Sequence, residues 1–163
     1  MSSKSNSRRN KNLRIITSFL EKSLRWKYAK QLFESRFRIL GDVAIGPDEL
    51  QSCAFIFDIF DTGAFFILSY PFVVPKSRKD SVCELVVRIN NRMWDGKFDY
   101  IIELGRIKFR LFQPIDEQGR ISQKRLKRLV RVPSQMLNNF YEAFNNVIHK
   151  TKSPEDAVIN CFR

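Results

Sequence analysis

The side chains to which acid–base, nucleophilic or metal chemistry would be assigned first are few and scattered. His149 is the only histidine among 163 residues. It falls near the end of a late helical segment and reads as a surface or helix-end residue. Cys53, Cys83 and Cys161 are odd in number, far apart and set in apolar segments. With no CxxC pair and no Cys/His cluster they do not make a zinc site. They read as reduced, buried thiols of a cytoplasmic protein. Asp48 with Glu49, and Asp116 with Glu117, are neighbours in polar loops, and Asp58 and Asp61 sit around a hairpin turn. Nothing in the sequence aims a carboxylate pair into a cleft for proton transfer. Asp95-Gly96 begins like a calcium loop but lacks the further Asp, Asn and Glu ligands, so it fits a turn from helix into strand. GxSxG, HExxH, GxGxxG and P-loop patterns are missing. The chain is therefore expected to be no enzyme and to use no cofactor and no metal.

Cations offer a different chemistry. Net charge is +12, and residues 1–14 carry five cations (Lys4, Arg8, Arg9, Lys11 and Arg14) with no acid. Residues 1–12 read as a flexible basic tail, ahead of one domain over 13–163, a length that suits a single core. A second patch, "ISQKRLKRLVRVPSQ", holds Lys124, Arg125, Lys127, Arg128 and Arg131 with no acid among them. Leu126, Leu129 and Val130 give it a short apolar rib, and Pro133 is expected to end it. The segment is either a solvated connector helix or an anion-binding site for nucleic-acid phosphate or an acidic protein. No apolar run approaches the roughly 18–20 residues of a membrane span. The polar, basic start has no apolar stretch behind it, unlike a secretory leader.

The elements that must carry these groups follow from periodicity. Leu13, Ile16, Leu20, Leu24, Tyr28 and Leu32 predict a helix over about 13–36. Phe19, Trp26 and Phe33, seven apart, form a second stripe on it that is either a wide core face or an interface. A strand is expected over 37–45. Two more, at about 53–60 and 64–70, flank Asp61-Thr62-Gly63. Phe55, Phe57 and Ile59 share one side; Ile56 and Phe60 share the other, with Asp58 between them. The partner strand puts Phe66, Leu68 and Tyr70 on one side, and Phe65 and Ile67 on the other. A two-residue Thr62-Gly63 loop sets Phe60 opposite Phe65, whereas a three-residue loop swaps the faces. Both sides are apolar, so the hairpin is either covered twice or offers a face to a partner.

"RINNRMWDGKFDYIIELGRIKFRLF" is the most regular stretch. A helix over about 80–93 should fray at Asn90-Asn91, with Trp94 as an apolar anchor and Gly96 as the turn into a strand. A turn at Leu104-Gly105 pairs Ile102 with Ile107, Tyr100 with Phe109 and Phe98 with Leu111. It sets Glu103 against Arg106 and Asp99 against Arg110. After Pro133 a helix from Ser134 to about Lys150 and a short one from Ser153 complete the chain. The fold class is α+β: an antiparallel sheet with helices packed on it, in the order α-β-β-β-α-β-β-α.

The helix end "RINNRMWDGKFDY", the hairpin "IIELGRIKFRLFQP" and the closing "MLNNFYEAFNNVIHKTKSPEDAV" resemble the YbjN family. The element order also resembles type III secretion chaperones. Over about residues 13–162 this resemblance implies a non-enzymatic, chaperone-like or regulatory module, often a homodimer, with no cofactor and no catalytic residues to carry over. Secretion chaperones tend to be acidic, and the basic tail and the 124–131 patch are no part of the shared pattern. The expected function is binding a protein partner or a second copy through Phe19, Trp26, Phe33, Ile56, Phe60, Phe65 and Ile67. The alternative is nucleic-acid binding by the tail and the 124–131 patch.

Overall fold

The computed structural model of the chain describes residues 3–46 and 52–162. Helix α1 spans Ser3–Phe19 and passes into a wider π-helical turn at Leu20–Leu24. Strands follow: β1 Ala29–Leu32, β2 Phe37–Val43, β3 Cys53–Ile59 and β4 Gly63–Ser69. Helix α2 (Lys79–Asn90), strands β5 (Lys97–Ile101) and β6 (Arg106–Pro114), helix α3 (Gln123–Ile148) and helix α4 (Pro154–Ile159) complete the order. The six strands form one antiparallel sheet, ordered β1-β2-β3-β4-β6-β5. This is the expected α+β arrangement with one added edge strand, β1.

The first helix is shorter than its periodicity implies, and it starts earlier. Residues 3–12, read as basic tail, form its first turns. Arg9 and Asn12 are buried in them. Arg9 donates to the Glu34 carbonyl at 2.7 Å. The Asn12 amide donates to the Gly119 carbonyl at 3.0 Å and accepts from Ile121 N–H at 2.9 Å. The helical run ends at Arg25, which adopts a left-handed conformation with φ 55°. Trp26 N–H then donates back to the Leu20 carbonyl at 3.1 Å, a Schellman-like closure made without glycine. A non-glycine residue there costs about 1–2 kcal/mol. The closure swings Trp26 onto Phe55 and Phe66, at ring-centroid distances of 5.0 and 6.3 Å.

Both hairpins are displaced by two residues from their expected registers. In β3–β4 the loop is Asp61-Thr62, so Asp58 faces Phe65 and Ile56 faces Ile67, and Phe60 N–H bonds the Gly63 carbonyl at 2.8 Å. In β5–β6, Tyr100 faces Ile107 and Phe98 faces Phe109, with a longer turn over 102–105. Leu-Gly does not suit a two-residue turn. A shift of two leaves every residue on its expected face, because the side-chain period is two.

One face of the sheet carries the core. Ile39, Phe55, Phe57, Ile59, Phe66, Leu68, Phe98, Phe109 and Leu111 are buried there. Helix α3 packs on β4 and β6, and α2 on β5. Tyr70, at the end of β4, donates its hydroxyl to the Leu137 carbonyl at 2.7 Å. Helix α3 is continuous through Pro133, which is buried inside it instead of ending it. Apolar residues line the same face before and after the proline, so one docking surface holds both halves. Ser134 Oγ donates to the Val130 carbonyl at 3.0 Å beside the missing N–H.

The unit around Asn90 works differently from expectation. Its side-chain amide donates to the Phe98 carbonyl at 2.8 Å and accepts from Phe98 N–H at 2.9 Å. A side chain thus pairs with the backbone as a neighbouring strand would. Trp94 is no anchor: it is fully exposed. Gly96 does make the turn, with φ +69°, and the Phe109 ring occupies the place of its missing Cβ. Gly96→Ala should cost about 2–4 kcal/mol from backbone strain and overpacking, read as a lower urea midpoint. Burial pushes the Cys53 thiol up to about 11. The folded protein keeps a proton that the unfolded chain releases nearer 9. Cys53 therefore makes stability fall as pH rises from about 9 towards 11, and Cys53→Ala should flatten part of that slope in urea titrations.

Candidate functional site

The opposite sheet face carries no helix among the described residues, and its side chains can be read row by row from the strand registers. One row runs Arg38, Asp58, Phe65, Phe112. The next runs Leu40, Ile56, Ile67, Arg110, Lys97. A third runs Asp42, Ala54, Ser69, Lys108, Asp99. Leu40, Ile56, Phe60, Phe65 and Ile67 are half-buried by their neighbours alone, and Phe112 is 38% exposed. Phe60, Phe65 and Phe112 form a line of rings, with centroids 6.2 and 4.8 Å apart.

Charge is arranged around this apolar centre. Asp58 is buried and receives Arg38 through two bonds of 2.7 Å, with Arg36 at 3.4 Å. The Asp58 carboxylate raises the Arg38 pKa further. Both guanidiniums lie over the Phe33 ring, Arg36 at 4.5 Å and Arg38 at 5.6 Å. Arg110 pairs with Asp99 at 2.8 Å and lies 5.9 Å over Phe65. The Asp99–Arg110 pairing read from the sequence is thus present, as a diagonal contact. Glu103, expected opposite Arg106, lies in the turn instead.

Of the seven predicted contact residues, Ile56, Phe60, Phe65 and Ile67 come together on this face. The helical stripe does not exist as a surface. Phe19 is buried in the core, Trp26 lies half-buried against Phe55 and Phe66, and Phe33 stands exposed at the β1–β2 turn. The reason is the left-handed turn at Arg25, which separates the three residues. Phe112, Leu40, Arg36 and Arg38 were not singled out from the sequence, and Arg110 only as the cross-strand partner of Asp99. Alternation in β6 does carry a signal for Phe112, which shares parity with Lys108 and Arg110 on the charged side.

The basic segment occupies the first three turns of α3. Lys124, Arg125, Lys127, Arg128 and Arg131 are all exposed. Together with Ser122 and Gln123 they line an open groove of about 770 Å³. Arg128 pairs with Asp95. Asp95 also borders a cleft with Phe65, Lys97, Arg110 and Phe112, which brings the basic helix to the edge of the open face.

Among the described residues, groups for catalysis do not converge. His149 is exposed beyond the last turn of α3. Asp116 accepts Arg120 N–H at 3.0 Å, which holds its carboxyl below the usual range as a loop-closing group. Asp48 and Glu49 lie outside the described residues. Among the described residues no group of three or more His, Cys, Asp or Glu side chains could hold a metal ion, and no helix is long and apolar enough to cross a membrane. Asp58→Ala should cost about 2–3 kcal/mol, because it strands two partly buried guanidiniums. The pair Asp58→Leu with Arg38→Met should recover much of that loss in a double-mutant cycle of urea unfolding.

A search of curated proteins and a search of solved structures each returned no match. The model of the YbjN family, described as "Putative bacterial sensory transduction regulator", matches residues 32–146. That span runs from the end of β1 to the last turn of α3, taking in the open sheet face and the basic helix. The chain belongs to the YbjN family.

Proposed function

We propose that this protein is a non-enzymatic regulatory module that binds a partner protein on its open sheet face. One observation carries the reading: helices cover only one side of the sheet among the described residues, yet the middle of the other side is Leu40, Ile56, Phe65, Ile67 and Phe112. A solvent face would alternate to polar residues there, whereas a contiguous apolar patch with a polar rim marks a docking surface. The rim selects the partner. Arg36, Arg38, Lys97, Lys108 and Arg110 outnumber Asp42, Asp58 and Asp99, so an apolar segment flanked by acids is the fitting occupant. A second copy suits it less well, because two chains of +12 would bring like rims together. The family's regulatory description and the resemblance to secretion chaperones support the same class of function.

The test uses the double variant Ile67→Lys, Phe112→Lys, both on the open face and clear of the core. Its urea midpoint should stay near wild type. Wild type, this variant and a Lys127→Gln, Arg131→Gln control serve as baits, and the retained proteins are compared by mass spectrometry. The expected result is an acidic partner held by wild type and by the control but lost from the face variant, in high salt as well as low. Identical retention by all three baits would contradict the reading. So would a dimer in light scattering that the face variant dissociates, which would give the face to a second copy.

A further inference from the structure

The basic stripe of α3 is not explained by the fold or by the sheet face. Lys124, Lys127, Arg128 and Arg131 stand three and four residues apart, so they lie along one side of the helix over about 10 Å. Each has a like charge as its neighbour one turn away, which destabilises the helix. They also crowd its N-terminal turns, where the macrodipole disfavours cations, and no acid stands in the first turn. Arg128 is held by Asp95. For Lys124, Arg125, Lys127 and Arg131 no ion pair occurs among the described residues. The arrangement opposes helix stability from both sides, and a solvated connector needs none of it.

The stripe exposes long cationic side chains and no apolar or aromatic residue. Leu126, Leu129 and Val130, the apolar residues between the cations, are buried against the core. A protein interface centres on apolar or aromatic anchors. A membrane-surface helix inserts apolar side chains. A single-strand site stacks bases on exposed rings. The groove wall, among the described residues, has none of these: Ser122, Gln123 and five Lys or Arg side chains line it. A rigid row of cations without anchors fits a ligand recognised by regularly spaced charge alone.

We infer that the exposed side of α3 over residues 124–131 binds the phosphate backbone of double-helical nucleic acid, without reading its sequence. Lys124, Lys127 and Arg131 of the row, with Arg125 lining the same groove, make the phosphate contacts. Four neutralised phosphates give a slope of log affinity against log salt of about −3.6. Affinity then falls roughly 150-fold between about 50 and 200 mM salt.

Fluorescence anisotropy with a labelled mixed-sequence DNA duplex of about 20 base pairs tests this across that salt range. Wild type should show the steep slope, with little change when the duplex sequence is scrambled. Lys127→Gln with Arg131→Gln should halve the slope, and its thermal midpoint should not fall below wild type, since two repulsive neighbours are removed. An uncharged open-face variant, Ile67→Ser with Phe112→Ser, should bind duplex as wild type does, which keeps this test separate from the protein-docking reading. The inference would be overturned by no binding at low salt, a salt-independent affinity, an unchanged slope in the α3 variant, or equal competition by poly-aspartate or anionic vesicles at matched charge. Tighter binding of a single strand, lost with Phe112→Ala, would overturn it in favour of the neighbouring aromatic cleft.

Discussion

Six rings, those of Phe55, Phe57, Phe66, Phe98, Phe109 and Phe144, together with Tyr70, are fully buried in the layer between the sheet and its helices. At about 2–3 kcal/mol for each large apolar side chain removed from water, this layer dominates the stability of the molecule. It also fixes everything else. Phe66 packs 4.5 Å from Phe57, and Phe98 lies 5.2–5.4 Å from Phe144 and Phe140 of α3. Once these rings take one side of each strand, period-two geometry sends Ile56, Asp58, Phe65, Ile67, Arg110 and Phe112 to the other. The open face is thus a consequence of the core, and its apolar centre is what a core alone would not require.

The ion pairs decide where the excess of positive charge is displayed. The chain has 29 basic and 17 acidic side chains. Asp58 holds Arg38 and Arg36, Asp99 holds Arg110, and Asp95 holds Arg128. These acids sit on the open face or at its edge, so they organise cations around the apolar rows. The acid-free first turns of α3 are left as a dense basic surface. Two surfaces of different character therefore meet near Asp95: one apolar with a cationic rim, the other cationic throughout. Under the two proposals above, the protein joins a partner protein to an anionic polymer without moving any element of its own.

Sequence reading recovered strands β2 to β6, their faces and the helix order, because those depend on parity and on the 3.6-residue period, and it missed β1, which it placed in the first helix. Both hairpin registers slipped by two, yet Phe65 and Ile67 stayed on the predicted side, since a shift of two preserves parity. What misled were local events with weak signals. The end of the first helical run depends on a left-handed arginine, which composition does not announce, and that turn dissolved the stripe of Phe19, Trp26 and Phe33. Pro133 reads as a stop, but packing on both sides of it carries α3 through. Trp94 looks like an anchor by residue type, yet the Asn90 side chain already joins helix to strand through Phe98. Phe112 was hidden by its neighbours: in "KFRLFQP" apolar and basic residues alternate, and the ring at 112 sits on the basic side.

Hydroxyl-radical footprinting of the purified free chain, read by mass spectrometry, tests most directly whether the second sheet face is open. The account predicts strong modification of Phe112, with detectable modification of Phe65 and Phe60, while Phe55, Phe57 and Phe66 stay protected until the protein unfolds. Protection of Phe112 equal to that of Phe66 in the free chain would mean that the face is already covered, and would contradict it.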